Sequence, residues 1–182
     1  MRIEAIAFLC LAIGGVACGD DGGSNPPPVC TSANCMCTDS ACACEGGVDC
    51  KATCEGTCSL NCSNASKCEG NAGETLTMTC NDTSMCKGFG GDASQVTCTA
   101  MSNCDLKLGA MAMVTCNMDA TCKIQVGTAS TIACSETSNC DVKCDGDCKA
   151  TCTAEAQCSV TCGVAGSAAT VCSPGVYACG PC

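Results

Sequence analysis

Histidine and tryptophan are absent from this 182-residue chain, which carries a single Tyr and two Phe. Loss of His removes the commonest general base and the usual activating partner of a Ser or Cys nucleophile. The carboxylates are scattered over turns with no repeated facing pair suited to acid–base work, and no phosphate-binding Gly loop is present. These absences predict a protein that is not an enzyme, uses no cofactor and has no catalytic residue to assign. Positive charge is scarce as well: 8 Lys and Arg stand against 18 Asp and Glu, a net charge of −10. An acidic chain nearly devoid of aromatics has neither the cations nor the stacking platforms that nucleic acid requires. Long hydrophobic runs are missing too, since the apolar stretch from Ala5 to Val16 is too short to span a bilayer.

Cysteine is what the chain has instead, with 28 residues. That density implies either an oxidising compartment with a disulfide framework or a thiolate metal store. A store wants Cys-x-Cys and Cys-x-x-Cys clusters, but only 35/37 and 42/44 have the first spacing and only 179/182 the second. A calcium β-roll also uses 18 residues per coil, yet needs repeated Gly-Gly-x-Gly-x-Asp turns. Gly90-Gly91-Asp92 and Asp145-Gly146-Asp147 are isolated echoes of it. A metal-binding protein is therefore kept as an alternative, with no metal ligand assigned.

Spacing decides for the framework. Cysteines fall at 44, 62, 80, 98, 116, 134 and 152, and again at 50, 68, 86, 104, 122, 140 and 158. Both series have a period of 18, so seven units share the pattern Cys-x5-Cys-x11. With the first cysteine of each unit as position 1, apolar and small residues occupy odd positions 7, 9, 11 and 15, 17, 1. Alternation with period two is the signature of a strand with one buried face. Each unit then reads as two short strands, 15 to 1 and 7 to 11, joined by a turn at 2–6 and a tighter one at 12–14. Position 12 is usually Gly (Gly73, Gly91, Gly109, Gly127, Gly163), which suits a tight turn. The predicted fold is all-β: a disulfide-stapled β-solenoid of 18-residue coils, two short strands per coil, stacked in parallel. Seven coils at ~4.8 Å each make a rod about 34 Å long.

Folding one unit flat places position 1 opposite 7, 17 opposite 9, and 15 opposite 11. The predicted bridges within coils are Cys44–Cys50, Cys62–Cys68, Cys80–Cys86, Cys98–Cys104, Cys116–Cys122, Cys134–Cys140 and Cys152–Cys158. Extra cysteines also come in facing pairs, giving Cys54–Cys58 and Cys144–Cys148. In the caps, Cys30–Cys35 with Cys37–Cys42, and Cys172–Cys179 with Cys162–Cys182, complete the set. Each small loop closure restricts the unfolded chain by roughly 2–2.5 kcal/mol, which offsets a thin core. The outward position 8 tests the register: Lys51, Glu69, Lys87, Asp105, Lys123 and Asp141 alternate in sign before Ser159. Parallel stacking brings these side chains about 4.8 Å apart, where only alternation avoids repulsion.

At the amino terminus, Arg2, the apolar stretch and Gly15-Val16-Ala17-Cys18 resemble a bacterial lipoprotein signal. The resemblance implies that Cys18 bears lipid and anchors the chain to the cell envelope, at the outer membrane or cell surface. A plain secretory signal cut near Ala17 would export it as a secreted protein. The stretch from Gly19 to Pro28 reads as a flexible tether. The chain thus divides into a signal peptide (1–17), lipid attachment and tether (18–29), an N-terminal cap coil (30–43), seven repeats (44–169) and a C-terminal cap (170–182).

Three functions fit. The first is a non-enzymatic cell-surface structural or binding module with an unknown surface partner. The second follows from Thr97-Cys98-Thr99-Ala100-Met101-Ser102-Asn103-Cys104, which resembles the disulfide-stapled antifreeze solenoids of insects. That resemblance implies an ice face of Thr77, Thr79, Thr97, Thr99, Thr115, Thr151 and Thr153. The third is metal binding.

Overall fold

The computed structural model describes residues 28–30, 35–38, 41–44, 46–47, 49–64 and 67–182. The expected signal peptide, the expected lipid site Cys18 and most of the expected tether lie outside the described residues. Among those described, every regular element is a strand. Short strands β1 (Val29–Cys30) and β2 (Cys35–Thr38) precede the coils. One strand of each coil is β3 (Ala41–Cys44), β5 (Cys58–Cys62), β7 (Leu76–Cys80), β9 (Gln95–Cys98), β11 (Met113–Cys116), β13 (Ser130–Cys134) or β15 (Cys148–Cys152). Its companion is β4 (Asp49–Cys54), β6 (Lys67–Ala72), β8 (Met85–Gly90), β10 (Asn103–Leu108), β12 (Thr121–Val126), β14 (Asn139–Cys144) or β16 (Gln157–Cys162). The chain ends in β17 (Ser167–Ala168), β18 (Thr170–Ser173) and β19 (Val176–Cys179).

The even-numbered strands from β4 to β16 pair in parallel as sheet 1, and the odd-numbered ones from β3 to β15 as sheet 2. Register never slips along either stack. Cys50, Cys68, Cys86, Cys104, Cys122, Cys140 and Cys158 sit on successive rungs of sheet 1. Cys44, Cys62, Cys80, Cys98, Cys116, Cys134 and Cys152 do the same in sheet 2. The period-18 β-solenoid is therefore the fold. Its seven rungs begin at β3 and end at β16, half a coil earlier than units counted from Cys44, because Ala41–Cys44 already stacks in parallel on β5.

Alternation places the core between the sheets. Leu60, Met78, Val96, Val114 and Ile132 project from sheet 2, and Leu106, Ile124 and Val142 from sheet 1, all buried. Size is matched across the interior. Where sheet 1 has Gly70 and Gly88, a Cβ would press on the Leu60, Leu76, Leu106 and Met78 side chains that fill the space. The cysteine pair of each coil sits beside this filling, with Cα–Cα separations from 5.9 Å in Cys44–Cys50 to 6.6 Å in Cys98–Cys104, a span a disulfide bridges. Cys54–Cys58 and Cys144–Cys148 join positions 11 and 15.

At four of the position-12 glycines the missing Cβ is what matters, as expected, and the clash it avoids is with the neighbouring coil; the fifth, Gly163, has a positive φ of 69°. None of Gly73, Gly91, Gly109 or Gly127 has a positive φ; the left-handed residues of that turn are Ala93, Met111 and Ala129 at position 14. A Cβ on Gly91 would lie 2.6 Å from the Glu74 carbonyl oxygen, and one on Gly127 2.8 Å from the Ala110 nitrogen. Glycine is needed there because the neighbouring coil runs against its α-carbon.

Antiparallel strands close the ends. At the N-terminus β2 pairs with β3 and β1 with β4. At the C-terminus β19 lies antiparallel on β15 and continues into a hairpin with β18, while β17 folds back on β16. Paired and capped edges do not template further strands. The C-terminal bridges differ from expectation: the structure joins Cys162 to Cys179 and Cys172 to Cys182. In place of an eighth rung, β19 puts Cys179 beside Cys148, the position-15 residue below it. Cys179 therefore faces position 11, which is Cys162, as Cys148 faces Cys144. In the N-terminal cap Cys30 contacts both Cys35 and Cys37, and Cys37 contacts Cys42. Each sulphur makes one disulfide, so the pairing that uses all four is Cys30–Cys35 with Cys37–Cys42.

Candidate functional site on the two outward faces

With the odd positions committed to the interior, chemistry offered to a partner lies on the even positions of the two sheets. On sheet 1, positions 6, 8 and 10 form three parallel files. Position 8 runs Lys51, Glu69, Lys87, Asp105, Lys123, Asp141, Ser159 on consecutive rungs. Its first step is a closed ion pair, Lys51 Nζ to Glu69 Oε1 at 2.7 Å. Glu69 also accepts a hydrogen bond from Asn71 Nδ2 at 3.2 Å. The Lys51 bond above all, and then the Asn71 bond, holds the Glu69 carboxyl below its ordinary value of 4.5. In the position-6 file Lys67 Nζ stands 4.0 Å from Asp49 Oδ1. These four residues form a checkerboard of alternating sign in which each exposed pair contributes under about 1 kcal/mol.

Between the two files runs an open groove of about 560 Å³, floored by Cys50, Cys68 and Cys86 and flanked by Lys51, Lys67, Glu69, Met85 and Lys87. Sequence reasoning found the position-8 ladder but passed over position 6, where the available signal was the opposed pair Asp49 and Lys67 one rung apart.

Sheet 2 carries the threonines. Thr79, Thr97 and Thr115 stand on three consecutive rungs, followed by Ala133 and Thr151. Thr77 belongs to the position-16 file, whose next members are Gln95, Met113, Thr131 and Lys149. Met113 there is 58% exposed, so it stands proud of the short threonines beside it. Thr99 and Thr153 fall at position 2, where the backbone ladder continues (Thr99 N to Cys80 O, 2.9 Å; Thr153 N to Cys134 O, 3.0 Å). Thr99 Oγ1 donates to Met118 Sδ at 3.2 Å. The structure thus brings Thr79, Thr97, Thr115 and, beyond Ala133, Thr151 into one file, and leaves the other three in two further files, Thr77 at position 16 and Thr99 with Thr153 at position 2.

Inside, adjacent coils stack their sulphurs closely: Cys80, Cys86 and Cys104, or Cys98, Cys104 and Cys122, lie within 4.8 Å of one another. Each of these sulphurs is in a disulfide, and a metal ligand must be a thiolate. Cys30, Cys35, Cys37 and Cys42 in the N-terminal cap form a group of four sulphurs. Sequence reasoning also missed position 5, an interior file of Ser84, Ser102, Ala120 and Ser138, all buried. Its signal was a place between the strands held only by small residues. No protein-family model, curated protein or solved structure matches the chain, so only this geometry bears on its function.

Proposed function

We propose that this chain is a non-enzymatic structural or binding module of the cell surface, exported and tethered through lipid on Cys18. The observation that carries the reading is the unbroken register of seven coils, each closed by its own bridge. Such a stack needs no large apolar core and has little freedom to lose when a partner docks, so the two flat outward faces are held ready for contact. Disulfides throughout the described chain fit an oxidising, extracellular setting. The tether would set the module off the membrane, with its charged and threonine faces presented to a surface partner.

Two measurements test this. After expression in a bacterial host, wild type should partition with the membrane fraction and Cys18→Ser with the soluble exported fraction. The oxidised chain should survive protease from about residue 30 onward, while reduced and alkylated chain is degraded. Equal partitioning of both proteins would remove the lipid tether, and equal digestion rates would remove the rigid module.

A further inference from the structure

Six of the seven lysines of this acidic chain lie on one face. Lys51, Lys87 and Lys123 at position 8, Lys67 at position 6, and Lys107 and Lys143 at position 10 all project from sheet 1. On the same three files from β4 to β14 stand four carboxylates, Asp49, Glu69, Asp105 and Asp141. The face therefore carries +2 on a chain of net −10. The other described carboxylates lie in the turns and the strands of sheet 2 carry only Lys149, so sheet 1 is the face on which charges of both signs can pair between two copies.

We propose that two copies of this chain pack face to face through sheet 1, running antiparallel, with a two-fold axis along the strand direction between β8 and β10. The position-8 file dictates the arrangement. An alternating series with an even number of charged members meets its own reverse with every sign opposed. Lys51 then faces Asp141 of the second copy, Glu69 faces Lys123, and Lys87 faces Asp105, each pair occurring twice. The flanking files raise no clash under the same reversal: Asp49 meets Asn139, Lys67 meets Thr121, Met85 meets Asn103, Thr53 meets Lys143, and Phe89 meets Lys107, a cation over an aromatic ring.

Registers with the axis on a rung fail. An axis through β10 sets Asp105 against Asp105, Lys87 against Lys123 and Glu69 against Asp141, all of like sign. An axis along the solenoid sets each rung against itself. An axis between β6 and β8 or between β10 and β12 keeps the signs opposed but pairs only four charges of each copy, so charge favours the central register, which pairs all six, the role charges fill best in an interface. Six strands at ~4.8 Å and six residues at ~3.3 Å give a footprint of about 570 Å² per copy, near the lower edge of stable interfaces. The contact is isologous and self-limiting, so it yields a dimer and not a fibre. It stands independently of the surface-module reading.

Sedimentation velocity of the oxidised chain at low and high salt is the test, with Lys87→Glu, Asp105→Lys and their equimolar mixture. Wild type should sediment as a dimer that weakens with salt. Lys87→Glu alone sets a new carboxylate against Asp105 twice, and Asp105→Lys alone sets a new ammonium against Lys87 twice, so each should lose dimer by at least tenfold. In the mixture the introduced carboxylate of one variant meets the introduced ammonium of the other, while native Asp105 meets native Lys87. Dimer should then return as a heterodimer, and that recovery also shows that both variants are folded. Monomeric wild type at all concentrations, unchanged single variants, or a mixture that stays monomeric would each overturn the dimer.

Discussion

Ser84, Ser102 and Ser138 occupy the same buried place in three coils, and none of their hydroxyls has a hydrogen-bond partner among the described residues. Ala120 fills the equivalent site one coil after Ser102 and is equally buried. By contrast, Ser94 and Ser130 at position 15 are used fully. Ser94 Oγ accepts from Leu76 N at 3.0 Å and donates to the Gly91 carbonyl at 2.8 Å. An unpaired buried hydroxyl costs stability that its replacement by a methyl group recovers. Ser84→Ala and Ser138→Ala should therefore be neutral or stabilising by up to about 1 kcal/mol each, whereas Ser94→Ala should destabilise by roughly 1–3 kcal/mol. Chemical denaturation midpoints of the oxidised proteins would show this, and a loss for Ser84→Ala would mean that its hydroxyl has a hidden role. Gly127 gives the opposite kind of residue effect. An alanine there drives its Cβ into the Ala110 backbone, and a cost of about 1–3 kcal/mol is expected by the same measurement.

Strands explain which pairings could be read from the sequence and which could not. Inside a coil the flat-fold symmetry fixes facing positions by counting, because both strands belong to one unit and stack in parallel; the nine bridges from Cys44–Cys50 to Cys152–Cys158 follow from it. In the C-terminal cap the chain reverses, and β19 enters sheet 2 antiparallel, so counting in eighteens no longer says which residue lies beside Cys148. No spacing announces that it is Cys179. Peptide mapping of the oxidised chain should yield a Cys162–Cys179 fragment and a Cys172–Cys182 fragment; Cys172–Cys179 would mean that β19 does not dock as described. Strand spacing also governs the first rung of the charge ladder. The Glu69 carboxyl sits below 4.5 because Lys51 and Asn71 bond its charged form, so the unfolded state binds its proton more readily. Its contribution is present above the ordinary carboxylate pKa and lost as pH falls through the lower folded value. Wild type should lose more stability than Lys51→Met between about pH 5 and 3, and parallel pH profiles for the two would show that the ion pair contributes nothing.

At the scale of the whole molecule, the solenoid has an inside that is nearly uniform along its length and two ends that are not. Coils contact chiefly their neighbours, so stability is close to a sum of coil and interface contributions, with fraying from the termini. The sulphurs follow that gradient. Cys80, Cys98, Cys104, Cys116 and Cys140 are completely buried, whereas Cys30, Cys35, Cys37 and Cys172 are partly accessible and Cys182 is exposed. A reductant attacks a disulfide through direct contact with a sulphur, so buried bridges wait for the chain to open. Limited reduction followed by alkylation and mass spectrometry should label the four cap bridges first. The central bridges from Cys80–Cys86 to Cys134–Cys140 should stay closed until strand structure is lost, and then react together. The thin core of single Leu, Met, Val, Ile and Gly rungs cannot hold an opened stack on its own, so full reduction should abolish the β-sheet circular dichroism signal. Central cysteines that react as fast as those of the caps, with the sheet signal intact, would mean that packing alone holds the coils and that the bridges are secondary. Central bridges that react late and collectively would identify the stack of disulfides as the structural axis of the molecule.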